Sequence, residues 1–457
     1  MKKLSLALVA LLLFNSCASF RELPKDYSRV LRKRPLPGSE RTVIFFLVDG
    51  LPVRTLKQEL VAGRMPQVDS FFIGSKHEMF VARTGFPSLT FTGIGSLLTE
   101  APVDQHGLFG NRVLSVKENE AINLEQPKNY SELSRRIQER NIFARLNAKG
   151  QKTVSLSYSF YADSDVHSEI LDPQAALAIL NEDYEFLDRK TLDSLQLLLS
   201  QNKPDTWPDF IFVHLVGVDF LSHQRGPDSP IVSTYLNKLD TQLKPIFEML
   251  NLAEFKKQRK VMSLLSADHG FDRTISTRLE LSQVLGPEGA SFKVLNEGRY
   301  AGVYFPKEWG AAQRSDYLKK ISQKPSIEVV ASRQDNSISI KSIGKNTLFN
   351  YSSSHCQEGE YAISVQQALP TCPENLDSSV NYLYHPYFIA NLSHYFQTQG
   401  HPDAVIIPSP GISFQKGTLG QHGGPTANEI FVPLLIHNGT LINVKRNPPL
   451  WQLLQFL

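Results

Sequence analysis

The chain contains three predominantly apolar runs, and each run is followed by acidic or histidine residues. The runs cover residues 42–48, 210–215 and 261–265 and are rich in β-branched and aromatic side chains, as is typical of parallel strands buried on both faces. Amphipathic segments with helical periodicity lie at residues 130–149, 189–200 and 232–250. This alternation predicts an α/β fold, with helices on both faces of a mostly parallel central sheet.

The stretch 276–379 carries a smaller pattern of its own. Its expected strands at 300–305, 327–331 and 337–341 and its helix at 309–322 predict a small α+β cap inserted into the main domain. Apolar runs at 403–407 and 430–435 are expected to return the chain to the core. The predicted core domain therefore has two parts, residues 41–275 and 380–457, with the cap at 276–379 between them.

The N-terminus has the pattern of an export signal. Lys2 and Lys3 precede an apolar run at residues 4–14 that is too short to span a bilayer as a mature helix. Residues 1–16 are therefore predicted to be a signal peptide, and 17–40, rich in Arg, Lys and Pro, an extended tether. The residues leading to Cys17 resemble a bacterial lipobox, which predicts lipidation of Cys17 and a periplasmic protein anchored to the outer membrane. Ordinary cleavage after Ala18 is the alternative.

Export bears on the two remaining cysteines. Cys356 and Cys372 are close enough in sequence to close a short loop in an oxidising compartment, so we predict a disulfide between them. A cysteine metal site would need further thiols.

The charge balance excludes one class of partner. The formal net charge is +3 over 457 residues, and no basic run is interleaved with aromatic residues as in proteins that follow a nucleic-acid backbone. We expect a small-molecule substrate and no polymeric nucleic acid.

Potential metal ligands follow the predicted strands and recur near the C-terminus. They are Asp49, the pair Asp219 and His223, the doublet Asp268 and His269, and His422 between glycines. Each alone has a commoner structural explanation, such as a helix cap, a surface ion pair or a turn. Together they indicate a metal centre, because carboxylates and imidazoles are ligands of Zn²⁺ and strand ends meet at one edge of an α/β sheet. His77, His167 and His214 have no such context and are expected to be ordinary core or surface residues.

These motifs resemble those of the type I phosphodiesterase/nucleotide pyrophosphatase family, a branch of the alkaline phosphatase superfamily. The matching segments are Val48-Asp49-Gly50, Thr90 ahead of the loop from Thr99 to Asn111, Asp219-x-x-x-His223, Asp268-His269-Gly270, and His422 before Glu429. Glu100 stands where the family's loop usually has glycine. The resemblance implies a three-layer α/β sandwich and hydrolysis through a phospho-threonine intermediate.

The resemblance also implies two Zn²⁺ ions, with other divalent metals possible. One ion would be held by Asp219, His223 and His422, and the other by Asp49, Thr90, Asp268 and His269. Thr90 would be the nucleophile and Asn111 would bind a phosphate oxygen. Thr84, in Thr84-Gly85-Phe86-Pro87, imitates the nucleophile string, but the family's spacing to His106 and Asn111 favours Thr90. His106 is expected to orient the loop that carries Asn111.

The substrate class is inferred from the absence of a cationic side chain in one segment. Residues 154–161 contain no cation, whereas related monoesterases carry one in this region, so the resemblance favours phosphodiesters or phosphoanhydrides such as nucleotides. Phe91, Tyr158 and Phe160 are candidates for stacking on a base, with core packing as the alternative. A phosphomonoesterase and a noncatalytic metal-binding surface lipoprotein are the alternative functions.

Overall fold

The computed structural model describes residues 41–74, 79–114, 121–157, 159–167, 177–178, 181, 183–275, 279–334, 337–342, 345–352, 362–365, 372, 387–439 and 447–457. The predicted signal peptide, the tether, Cys17 and Cys356 lie outside these residues. Cys372 is disulfide-bonded, and its pairing with Cys356 stays a prediction. In the described part of the chain, no helix combines the length and the apolar character needed to cross a bilayer.

The described strands, numbered in chain order, are β1 (Arg41–Val48), β2 (Phe80–Arg83), β3 (Arg112–Leu114), β4 (Ala121–Asn123), β5 (Thr153–Leu156), β6 (Val166–His167), β7 (Phe210–Leu215), β8 (Lys260–Ser266), β9 (Asp272–Arg273), β10 (Lys293–Asn296), β11 (Ala301–Tyr304), β12 (Ile327–Gln334), β13 (Ser337–Ser342), β14 (Lys345–Ser352), β15 (Ala362–Val365), β16 (Ala404–Pro408), β17 (Gly420–Gln421) and β18 (Phe431–His437). The described α-helices are Val53–Val61, Pro66–Val68, Thr90–Thr99, Val103–His106, Tyr130–Ile137, Ile142–Ala148, Tyr184–Gln201, Gly217–Arg225, Pro230–Phe255, Leu281–Leu285, Ala311–Ser322, Phe388–Tyr395 and Ala427–Ile430.

The central sheet is mostly parallel, as predicted. Its strand order is β2-β18-β8-β1-β7-β5-β6, and β8, β1, β7, β5 and β6 run parallel to one another. Leu47 of β1 lies opposite His214 of β7 on one side and opposite Ser266 of β8 on the other. The three strands therefore end level with one another, so the residues that follow them meet at one edge of the sheet.

A second sheet is antiparallel throughout, in the order β10-β11-β16-β12-β13-β14-β15. It contains the strands predicted near 300, 327 and 337. It also contains β16, formed by the apolar run at 403–407, which pairs with β11 and β12 and not with a strand of the central sheet. The run at 430–435 joins the central sheet as β18, beside β8.

Alternate residues of the second sheet belong to two different cores. Val405 and Ile407 of β16 lie in the same hydrophobic cluster as the central sheet. Ala404 and Ile406 belong to a smaller cluster that includes Leu318 of the Ala311–Ser322 helix. Because both faces are covered, β16 is apolar at every position, and its sequence is that of a buried parallel strand.

The amphipathic segment predicted at 130–149 is two helices rather than one. The chain turns between Ile137 and Ile142, where Glu139 has a positive φ of 61°. The side chain of Asn141 then accepts a hydrogen bond from the Ala144 N–H and caps the second helix.

Candidate metal and active site

The acids and histidines predicted as ligands converge at the edge where β1, β7 and β8 end. Nε2 of His269 lies 3.4 Å from Oδ1 of Asp49 and 3.4 Å from Oδ2 of Asp268. The hydroxyl of Thr90 lies 3.2 Å from the same nitrogen. These four residues form the group that was assigned to one ion.

The other three predicted ligands form a second group beside the first. Nε2 of His422 lies 3.4 Å from Oδ1 of Asp219, and Nε2 of His223 lies 3.6 Å from Oδ2 of the same residue. The two imidazole Nε2 atoms are 3.1 Å apart. The groups adjoin each other, because the His269 and His422 rings stack with their centroids 3.7 Å apart.

All three histidines turn the same ring nitrogen toward the site. Their Nδ1 atoms each lie close to a backbone carbonyl oxygen, which can only accept a hydrogen bond, so Nδ1 carries a proton, and Nε2 is the atom that offers a lone pair when the ring is neutral. The pairs are His269 with Gly270 at 3.0 Å, His422 with Ser88 at 3.1 Å and His223 with Gly420 at 3.2 Å.

Each acid also presents an unsatisfied oxygen. Oδ1 of Asp49, Oδ1 of Asp219 and Oδ2 of Asp268 are buried and have no hydrogen-bond partner among the described residues. A buried carboxylate oxygen without a partner is costly unless a cation compensates it. Potential ligand atoms of Asp219, His269 and His422, and of Asp49, Asp268 and His269, lie within 4.8 Å of one another in two groups. The residues thus fit two adjacent divalent cations with oxygen and nitrogen ligands.

The protonation of the first group reflects crowded negative charge. Burial alone would raise the pKa of Asp49, but the neighbouring imidazoles of His214 and His269 hold it below its usual range. Burial, together with the charge of Asp49, raises the pKa of Asp268 to about 7. Burial would lower the pKa of His269, yet the charges of Asp268 and Asp49 raise it to about 10. Positive charge is therefore strongly favoured here.

In the second group, burial shifts the pKa of each residue toward the uncharged form. Burial and the charges of Asp49 and Asp268 hold the pKa of Asp219 well above its usual range. Burial lowers the pKa of His223 to about 4, and burial with the neighbouring imidazoles holds the pKa of His422 well below its usual range. Both histidines are thus neutral near pH 7, the form in which imidazole binds a metal.

Thr90 is the first residue of the Thr90–Thr99 helix. Helix N-terminal amides favour a negatively charged ligand. The helix lies directly on the loop that carries Asp268, because a methyl group at Gly93 would come within 2.4 Å of the Asp268 carbonyl oxygen. Thr84 follows β2, and its N–H donates to the Ile430 carbonyl. The two threonines are thus held in different places, and Thr90 is the one beside His269.

Asn111 lies next to this helix. Its Oδ1 accepts a hydrogen bond from the Phe91 N–H at 3.2 Å, which orients its Nδ2 group. His106 braces the preceding loop, since its Nδ1 accepts from the Leu108 N–H and its Nε2 contacts the Ser96 hydroxyl. The hydrogen bond from Phe91 places the amide of Asn111 beside the residue that follows Thr90.

Glu100 ends the Thr90–Thr99 helix in the left-handed conformation, with φ of 53°, which explains why glycine is usual at this position. A two-point ion pair with Arg145 accompanies it, with distances of 2.8 and 2.9 Å.

Two of the three predicted base-stacking residues lie in the part of the chain that the structure describes. Phe91 and Phe160 are buried, and their ring centroids lie 5.4 Å apart, which leaves little of either ring for a ligand. Tyr158 lies outside the described residues. Substrate binding by Phe91 and Tyr158 stays a prediction.

Two residues at the site were missed by the sequence analysis. His214, which was expected to be an ordinary residue, donates a hydrogen bond from Nε2 to Oδ2 of Asp49 at 2.8 Å and is almost fully buried. A lone polar residue within the apolar run of β7 was the available signal. Glu125 accepts a hydrogen bond from Nδ2 of Asn111 at 3.0 Å, and no motif pointed to it.

Comparison with known proteins gives one extended sequence match. A family model described as type I phosphodiesterase / nucleotide pyrophosphatase matches residues 43–424. The curated relatives matched cover less. Residues of this chain are 28% identical over 90 positions to GPI ethanolamine phosphate transferase 2 of Schizosaccharomyces pombe and 29% identical over 92 positions to the human catalytic subunit of that name. Each match spans 20% of this chain and only 12% and 9% of those proteins.

Solved structures share the fold over almost the whole chain. Murine ectonucleotide pyrophosphatase/phosphodiesterase 5 is 15% identical, with a TM-score of 0.57 over 89% of this chain and 90% of that one. An inactive form of the same murine protein was solved in complex with AMP. Phosphonoacetate hydrolase from Sinorhizobium meliloti 1021 is 14% identical, with a TM-score of 0.57 over 90% of this chain and 94% of that one. The predicted α/β fold of the alkaline phosphatase type is confirmed.

Proposed function

Because the chain belongs to the type I phosphodiesterase/nucleotide pyrophosphatase family, whose members are hydrolases acting on phosphoric ester bonds, we propose that it is an exported, metal-dependent phosphodiesterase or nucleotide pyrophosphatase. The family expected from the motifs is confirmed. Metal dependence, the phospho-threonine intermediate and anchoring at Cys17 in the periplasm are parts of the proposal.

The observation that carries the proposal is the pair of ligand groups beside a hydroxyl. Asp219, His223 and His422 would hold one Zn²⁺, and Asp49, Asp268, His269 and Thr90 the other. Three carboxylate oxygens without a partner among the described residues and three Nε2 atoms that face the site support this assignment. When bound, zinc would lower the pKa of a coordinated oxygen, as it lowers that of water from about 16 to about 7.

The residues of the chain then account for the two displacements. Oγ1 of Thr90 attacks phosphorus, the bond to the leaving oxygen breaks, and the phosphate ester remains on Thr90. Water attacks the same phosphorus in the second step, which releases the phosphate monoester and restores the threonine hydroxyl. Nδ2 of Asn111 donates to a non-bridging oxygen, and donors placed in this way stabilise developing negative charge.

A second candidate is transfer of the phosphoryl group to an alcohol instead of water. The local similarity to GPI ethanolamine phosphate transferases favours it. The first displacement would be the same, and only the acceptor in the second step would differ.

The experiment compares Zn²⁺-loaded wild type with Thr90→Ala on a nitrophenyl phosphodiester. We expect the rate constant to fall roughly a thousandfold or more, as losses of nucleophiles do elsewhere. Thr84→Ala and Thr99→Ala are the matched controls, and both should retain most of the activity. Hydrolysis by Thr90→Ala at the wild-type rate would reject the mechanism. Elemental analysis of active protein should give about two metal ions per chain, and a single ion would reject the two-ion scheme.

A further inference from the structure

Two hydrogen bonds, both made by Asn111, connect Glu125 to the residue that follows the proposed nucleophile. Its Oε1 accepts from Nδ2 of Asn111 at 3.0 Å, and Oδ1 of Asn111 accepts from the N–H of Phe91, the residue after Thr90. The β3–β4 hairpin fixes this arrangement, because the Leu124 N–H donates to the Asn111 carbonyl at 2.8 Å. The carboxylate therefore sits beside the amide that is proposed to bind phosphate.

Arg112, the cation paired with Glu125, neutralises it only weakly. Arg112 is tied to the buried Glu297, which accepts from the Arg112 N–H at 2.7 Å and from its guanidinium at 3.0 Å. The distance from Arg112 to the Glu125 carboxylate is 3.8 Å. The Glu125 side chain is 47% exposed. The Glu125 charge also raises the pKa of Asp219, although burial and the charges of Asp49 and Asp268 raise it more.

A phosphate bound by Asn111 would meet this charge directly. A non-bridging oxygen that accepts from the same amide nitrogen would lie about 5 Å from the Glu125 carboxylate. The repulsion grows with each negative charge on the phosphate. A monoester dianion has one charge more than a diester monoanion and is disfavoured accordingly.

Resting on the proposed function, we propose that Glu125 is a specificity-determining residue that selects singly charged phosphodiesters against doubly charged phosphomonoesters. Its hydrogen bond to Asn111 alone would only position the amide and would affect both substrates equally. The two roles can be separated, because Glu125→Gln keeps the shape and an acceptor oxygen and removes only the charge.

The test measures kcat/KM of Zn²⁺-loaded protein for p-nitrophenyl phosphate and for its methyl diester, near pH 8, where the monoester is a dianion. Glu125→Gln should raise the monoester-to-diester ratio roughly tenfold at low ionic strength, and the effect should shrink in high salt. Glu248→Gln removes an exposed acid on the Pro230–Phe255 helix, where it lies 3.9 Å from Lys244. This control should leave the ratio unchanged.

An unchanged ratio in Glu125→Gln, or an equal change for both substrates, would overturn the role of Glu125. If wild-type protein cleaves neither compound, the proposed function fails instead. Calorimetric binding of the same two compounds to Zn²⁺-loaded protein then decides the inference on Glu125. Tighter binding of the monoester alone by Glu125→Gln supports it, and the absence of a selective change overturns it.

Discussion

Strands inside both sheets, such as β1 and β16, are buried on two faces, yet the two sheets relate to the site in opposite ways. In the central sheet β8, β1 and β7 are parallel and end level with one another, so three consecutive strand ends deliver their polar residues to one place. In the second sheet neighbouring strands are antiparallel, and their ends alternate between opposite edges. Parallel strands therefore bring the residues that follow them to one edge of the sheet, and antiparallel strands place such residues at opposite edges.

The second sheet nevertheless reaches the site through one turn. Between β10 and β11, the buried Glu297 binds Arg112, and the buried Arg299 binds Glu429 at 3.2 Å. Glu429 in turn accepts hydrogen bonds from the N–H groups of Gly424 and Thr426, just after His422. Buried charges of the second sheet are thus paired with loops of the central domain, which makes this sheet a support of the site.

The largest expected effect comes from breaking the ion pair between Arg299 and Glu429. Arg299 is 1% exposed, so Arg299→Met leaves Glu429 buried without its cation, and we expect a loss of about 3–5 kcal/mol in the free energy of unfolding. Urea denaturation measures this loss. Zn²⁺ affinity should fall as well, because the loop after His422 loses its anchor.

Two further variants control for this result. Arg314→Met breaks a half-exposed pair with Asp403 in the same part of the chain and should cost only about 0–1 kcal/mol. Adding Glu429→Gln to Arg299→Met should recover part of the stability, since the orphaned charge is removed. Equal losses for Arg299→Met and Arg314→Met would mean that the second sheet does not support the site.

A smaller effect is expected within the central sheet. His214 of β7 holds Oδ2 of Asp49 at 2.8 Å, and residues that orient a metal ligand contribute about 10- to 100-fold in metal affinity. His214→Leu should weaken Zn²⁺ binding by that factor in a competition assay with a chelator. His401→Leu is the control. Among the described hydrogen bonds, Nδ1 of His401 contacts only the Pro402 carbonyl, so this variant should bind Zn²⁺ as wild type does. Wild-type affinity in His214→Leu would contradict the assignment.

The same contrast explains what could be predicted from the sequence. Asp49, Asp219 and Asp268 could be found because each follows a buried parallel strand, and the order of strands along the chain is enough to bring them together. His214 could not be distinguished from a core histidine, because its contact with Asp49 depends on the register between β1 and β7. Glu125 reaches Asn111 only through the β3–β4 hairpin, which leaves no trace in residue spacing.

The sheet to which β16 belongs could not be predicted for a related reason. A continuous apolar run shows that a strand is covered on both faces, and it does not show by what. Val405 and Ile406 face two different hydrophobic clusters, so their pattern is that of a strand in the central sheet. Pairing partners are set by long-range contacts that local periodicity does not contain.

The smallest expected effect tests whether the two sheets unfold together. Ile44 of β1 and Ile338 of β13 are both fully buried and belong to the same hydrophobic cluster. Ile44→Val and Ile338→Val should each cost about 0.5–1.5 kcal/mol, the usual loss for one buried methyl group. Because one cluster joins the sheets, both variants should shift the same single unfolding transition, followed by fluorescence and by circular dichroism. If Ile338→Val instead moved a separate transition and left that of Ile44→Val in place, the second sheet would be an independent unit, and its buried charges could not act as a rigid support for the site.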